Sequence, residues 1–160
     1  MLSSFVDFES FLVQVNDIDE TAQTLNVLSA VGYDINGSIT PDCNSLFEPG
    51  AADFSLNPVF TAGPSDMILP VGGEELTIED FGLRATFNSD GSSIENILFI
   101  GRADTRALDT LLGSNTCTMA TLLGDTCVPC NDGKVKCLDM YAEAQQADWN
   151  SSIDLGAQCP

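Results

Sequence analysis

Apolar positions in the first third of the chain alternate with polar ones rather than recurring at helical spacing. Over residues 5–15, Phe5, Phe11, Val13 and Val15 share one parity and Val6, Phe8 and Leu12 the other. Such partial alternation, rich in aromatic and β-branched residues, predicts a strand. Leu25, Val27, Ser29, Val31 and Tyr33 predict a second strand over residues 21–33, blurred by Leu28. Residues 36–73 then hold Pro41, Pro49, Pro58, Pro64 and Pro70. Proline fixes φ and removes a ladder donor, so this density predicts a long irregular excursion with brief strands near residues 54–60 and 66–69. The clearest hairpin joins residues 76–87 to 94–101 through the turn-forming run Asn88, Ser89, Asp90, Gly91, Ser92, Ser93. The parity change near Phe81 and Gly82 within its first arm predicts a β-bulge.

The period then shifts. Asp104 as cap, Leu108, Leu111 and Leu112 as apolar stripe and Gly113 as stop predict one short helix. Thr116, followed by Met119, Ala120, Leu122, Leu123 and Gly124, predicts another, and both stripes are expected to face the core. Over residues 135–149 strand-like alternation gives way to the helix formers of residues 142–147, and a strand to about Ala144 is expected. Residues 156–160 read as a small polar tail. The expected fold is mainly β: an antiparallel β-sandwich or barrel-like sheet with a short two-helix cap and disulfides. The expected organisation is one domain over residues 1–160, with a Cys-rich helical cap and hairpin over 104–138.

Charge narrows the partners. The chain carries 24 acidic residues against Arg84, Arg102, Arg106, Lys134 and Lys136, a net charge of −19. A field of this sign repels nucleic acid and anionic membrane surfaces, which bind through Lys and Arg. Cations, neutral glycans, apolar molecules and basic protein patches remain. There is no histidine, which removes the Ser-His-Asp and Cys-His nucleophile systems and the commonest zinc ligand. No catalytic, cofactor-binding or metal-binding residue is expected. Asn88, Asp90 and Glu95 offer oxygens to calcium, but Glu95 falls four residues after Gly91 where an EF-hand requires six, so an ordinary turn is expected. Asp17, Asp19 and Glu20 read as a solvated acidic face, with a divalent cation as the sharper alternative. No apolar run reaches membrane-spanning length, and the first residues lack a positive, apolar leader pattern.

Six cysteines, Cys43, Cys117, Cys127, Cys130, Cys137 and Cys159, form an even, clustered set that reads as a disulfide framework. An Asp-Gly turn lies between Cys130 and Cys137, so a hairpin can bring them opposite each other. That pairing leaves Cys117 for Cys127 and Cys43 for Cys159. Two alternatives stay open at this level: a zinc site of Cys117, Cys127, Cys130 and Cys137, and a redox motif at Cys127 and Cys130.

The run from Gly101 to Leu108, then Leu111-Leu112-Gly113, Cys117, Leu122-Leu123-Gly124, Cys127-Val128-Pro129-Cys130, Asp132-Gly133 and Cys137-Leu138, resembles a C-terminal signature of secreted proteins and lipoproteins of myxobacteria and related predatory bacteria. The resemblance covers residues 76–145. It implies export, disulfides and a last strand starting at Cys137, and assigns no reaction. The expected function is a non-catalytic extracellular or periplasmic module, secreted or at the outer envelope, binding an apolar ligand or a protein partner. Alternatives are a self-assembling structural subunit of the cell surface and a paired-carboxylate glycan hydrolase.

Overall fold

The computed structural model describes residues 10–147 and 152–160. Among the described residues nine strands form one antiparallel sheet: β1 (Ser10–Asp19), β2 (Thr24–Ile35), β3 (Ser38–Pro41), β4 (Ala51–Leu56), β5 (Val59–Val71), β6 (Glu74–Phe87), β7 (Ile94–Asp104), β8 (Val128–Pro129) and β9 (Val135–Gln146). Their order is β1-β2-β4-β5-β6-β7-β9-β8, with β3 pairing β2 beside this path. Helices α1 (Arg106–Leu112) and α2 (Thr116–Leu122) separate β7 from β8, and α3 (Leu155–Gln158) follows β9. The mainly β, antiparallel fold expected from the alternation is the fold observed.

The sheet folds over on itself in a sandwich-like way. Phe11 of β1 meets Phe99 of β7 edge-on at 4.7 Å and lies 5.9 Å from Phe81 of β6, although β1 pairs only with β2 among the described residues. One buried cluster gathers Val31, Phe47, Met67, Leu76, Ile78, Phe81 and Leu108, and a second gathers Leu25, Val27, Phe54, Phe60, Leu83 and Ile97. Burial of these side chains, each contributing about 1.5–3 kcal/mol, is what closes one half of the sheet on the other.

The bulge lies where parity changes. Leu76 and Ile78 are buried, and so are Phe81, Leu83 and Ala85, because the β6–β7 register shifts between Glu79 and Gly82. Asp80 takes up the extra residue at φ 50°, and its N–H donates to Asp66 Oδ1 at 3.1 Å. An added residue in one strand restores the inward parity beyond it.

Residues 36–73 are not an irregular excursion. They contain β3, β4 and the 13-residue β5. Three of the prolines fall at strand ends or register breaks: Pro41 ends β3, Pro58 sits between β4 and β5, and Pro64 lies at the register shift between Ala62 and Ser65, while Pro70 lies within β5 opposite Glu75. Gly63 beside it, at φ 89°, has the Phe81 carbonyl 2.5 Å from where a Cβ would stand, so only glycine fits this crossing.

Three further boundaries differ from expectation. The first strand runs to Asp19, and the part expected over residues 5–9 lies outside the described residues. Thr105 holds the N-cap position of α1 without a side-chain cap bond, and the expected Asp104 carboxylate accepts from Arg106 N at 3.0 Å; Asn115 rather than Thr116 caps α2, its Oδ1 accepting from Thr118 N at 3.0 Å. The expected polar tail forms α3, capped by Asp154, with Leu155 and Cys159 buried. Gln14 Oε1 on β1 accepts from Leu155 N, and Cys159 is bonded to Cys43, so the C-terminus is pinned across β1 and β2.

Candidate functional site

The sheet end that carries α1, α2 and the β8–β9 hairpin holds the densest polar and covalent network among the described residues. The structure bonds Cys117 to Cys127, Cys130 to Cys137 and Cys43 to Cys159, with no free cysteine, in the pairing the hairpin argument ranks first. Cys117–Cys127 ties the first turn of α2 to the start of β8, across 10 residues. Cys130–Cys137 closes the hairpin into β9. Thr105, fully buried, donates from both its backbone N (2.8 Å) and its Oγ1 (2.7 Å) to the Lys136 carbonyl and joins the start of α1 to β9. Leu111 of α1 rests on Gly72 in the β5–β6 turn, where a Cβ would come within 2.7 Å of its Cδ1.

Ion pairs fasten the same elements. Lys136 Nζ donates to Asp109 Oδ2 at 2.7 Å, while Asp109 Oδ1 accepts from Thr116 N at 2.6 Å. Arg106 forks onto Asp104 and reaches Asp132 at 2.7 Å. Arg102 bonds Asp80, Asn131 Oδ1 and the Pro129 carbonyl, and lies 3.7 Å from Glu79. The bulge at Asp80 is what lets both acids converge on this guanidinium. Glu79 is 7% exposed; its Oε2 accepts from Asn131 N at 2.8 Å and touches Cys137 Sγ at 3.6 Å. Bonded to Cys130, that sulfur has no proton to give.

Protonation follows these contacts. Hydrogen bonding from Arg106 holds Asp104 below the usual carboxylate range against opposing burial, and the Lys134 N–H followed by Arg106 does the same for Asp132. For Asp109, burial is the largest single influence and pushes upward, but Lys136 and Thr116 together outweigh it and the carboxyl is held low. Depressed folded-state values mean that the folded form binds fewer protons than the unfolded form. The stabilisation is therefore present above the unfolded carboxylate range and is lost as pH falls through the lower folded values. We predict that the cap loosens below about pH 4, with amide exchange over residues 104–137 accelerating before the rest of the sheet. Uniform acid loosening would contradict this.

The leucine stripes expected to be core are only partly so. Leu108 and Ala120 are buried, whereas Leu122 is 83% exposed, Leu123 59%, and Met119 and Leu111 are also open to water. Met119, Leu122 and Leu123 follow i, i+3, i+4 spacing and share one side of α2. Residues 113–124 carry no charge at all. Residues 102–136 hold four cations and four acids, so the whole −19 belongs to the rest of the chain. The segment 102–136 is thus neutral, covalently braced and, over 113–124, uncharged, while Glu79 and Asp80 of β6 add acid to the same end of the sheet.

The other sequence candidates do not assemble into sites. Asn88 and Asp90 spend their carbonyl and carboxylate oxygens on Ser92 and Ser93 N–H groups, as an ordinary turn does. Asp17, Asp19 and Glu20 do not converge, since among the described residues only Glu79, Cys130 and Cys137 bring three potential metal-binding atoms within 4.8 Å of one another. The acids that do meet, Glu79 with Asp80 and Asp104 with Asp132, are bridged by arginines. Glu79 was not singled out from sequence; its signal is an acid at the point where the apolar parity of β6 breaks. The best-formed depressions are open and partly polar, one lined by Asn96, Leu98, Glu143 and Gln145, the other by Asn16, Asp17, Asn26 and Glu48. No helix among the described residues is long and apolar enough to cross a membrane. Compared with protein-family models, curated proteins and solved structures, the chain matches none of them.

Proposed function

We propose that the protein is a non-catalytic extracellular or periplasmic module that binds a partner protein through its disulfide-braced cap. The observation that carries this reading is the exposure of Leu122 and Leu123 on a loop closed by Cys117–Cys127. Adjacent exposed leucines gain no burial from folding alone but gain it against another surface, and a braced loop loses little conformational entropy when it docks. The partner chemistry that fits is an apolar depression bordered by basic groups, which would meet the uncharged segment 113–124 first and the acidic surface around it at its rim. Three disulfides support an oxidising compartment. The low-held carboxylates Asp104, Asp109 and Asp132 weigh against the glycan-hydrolase alternative, which needs an acid held protonated.

The test is affinity capture from envelope extract by the native chain, by the double variant Leu122→Asp/Leu123→Asp, and by Leu56→Asp. Leu56 is 68% exposed at the opposite end of the sheet, as the last residue of β4. One protein held by the native chain and by Leu56→Asp but released by the double variant is the expected result, with stability altered by less than about 1 kcal/mol because the sites are exposed. Equal capture by all three chains would sink the reading. A second reading, self-assembly, is favoured by one observation: β1 has a free edge among the described residues, and residues 10–16 are uncharged. Solution mass of the same samples separates the two, since an assembling subunit forms multimers that the cap variant leaves intact.

A further inference from the structure

Glu79, Cys130 and Cys137 are all buried, and one carboxylate oxygen and two sulfurs lie within 4.8 Å of one another. In the oxidised chain the sulfurs bond to each other and the carboxylate is held by Asn131 N, with Arg102 3.7 Å away. From this juxtaposition we infer that reduction of Cys130–Cys137 converts the bridge into a binding site for a thiophilic divalent cation of the zinc class, with Glu79 as the oxygen ligand. The inference is independent of the partner-binding reading.

The chemistry balances with a dithiol as reductant. The Sγ–Sγ bond breaks, a disulfide forms in the dithiol, and two electrons and two protons pass to Cys130 and Cys137. Metal binding then releases those two protons, leaving two thiolates and one carboxylate on the cation. Thiolate ligands at about 2.3 Å and a carboxylate oxygen at about 2.0–2.2 Å match zinc, and water can complete the tetrahedron. Asn131 N and Arg102 already hold the carboxylate, as outer partners of a metal ligand do. Cys117 and Cys127 belong to a separate cluster with Ala120 and Leu138, so this donor set differs from the four-thiolate site that spacing suggests.

The full chain would be reduced with a dithiol, freed of reductant without air, and titrated with Zn2+ and separately with Co2+. One ion per chain is expected. Zinc should protect Cys130 and Cys137 from alkylation while Cys43, Cys117, Cys127 and Cys159 still react, and Co2+ should give a tetrahedral thiolate spectrum. Glu79→Gln should weaken zinc at least about tenfold. Protection of Cys117 and Cys127 along with the other two, equal affinity in Glu79→Gln, or no metal bound by the reduced chain, folded or not, each overturns the inference.

Discussion

Replacing Cys43 and Cys159 together with serine is expected to lower unfolding stability by about 4–5 kcal/mol. The bridge closes a loop with a sequence separation of 116, the longest of the three, and the entropy removed from the unfolded chain grows with the logarithm of that length. The matching change at Cys117 and Cys127, separated by 10 residues, should cost about 2–3 kcal/mol on the same relation. Urea titrations of the native chain and the two double variants test the ranking. A smaller loss for the long bridge than for the short one would show that α3 docks on β1 and β2 by packing alone. The native contacts that would carry it include buried Leu155, Gln14 bonded to both Leu155 N and Asp154 Oδ1, and Gly156 near Leu28.

Phe81→Ala is expected to destabilise the fold by about 3–5 kcal/mol. Phe81 is almost fully buried, and its ring lies 4.9 Å from Phe47, 5.9 Å from Phe11 and 6.1 Å from Phe99. Phe99 lies on β7, which pairs β6, but Phe11 comes from β1 and Phe47 from the segment before β4, neither of which pairs β6 among the described residues, so one side chain joins the two halves of the sheet across the core. Truncation leaves a cavity at the place where the two halves meet, and rigid strands cannot collapse into it. Phe54→Ala, whose ring contact is to Phe87 within the other cluster, should cost less because Phe54 is more exposed. A loss below about 1.5 kcal/mol for Phe81→Ala in denaturant melts would mean the halves are held by something other than this ring.

What the sequence made legible was local. The hairpin of β6 and β7, the bulge near Phe81, the two short helices and the nearest cysteine pair all depend on residues a few positions apart, and period, turn chemistry and capping act at that range. What it hid depended on partners far along the chain. Pro64 argues against a strand by itself, yet β5 forms because β6 pairs along its length and the bulge excuses the missing donor. Residues 156–160 look like a tail until Cys43 and Gln14 are brought beside them. Leu122 and Leu108 carry the same helical signal, but only the second has a sheet beneath it. Glu79 is unremarkable in sequence because its meaning lies in Arg102, Asn131 and Cys137, which topology alone delivers.

The uncharged segment 113–124, set against an acidic remainder, gives the molecule a polarity of approach. Beyond about one Debye length, roughly 8 Å in physiological salt, a neighbouring anion feels little of the acidic body. Inside that distance it is repelled less by the uncharged segment 113–124 than by the acidic body. Dilute salt therefore sharpens orientation during collisions with acidic polymers or with sister copies, and concentrated salt blurs it. The disulfides fix not only shape but also which end of the particle leads.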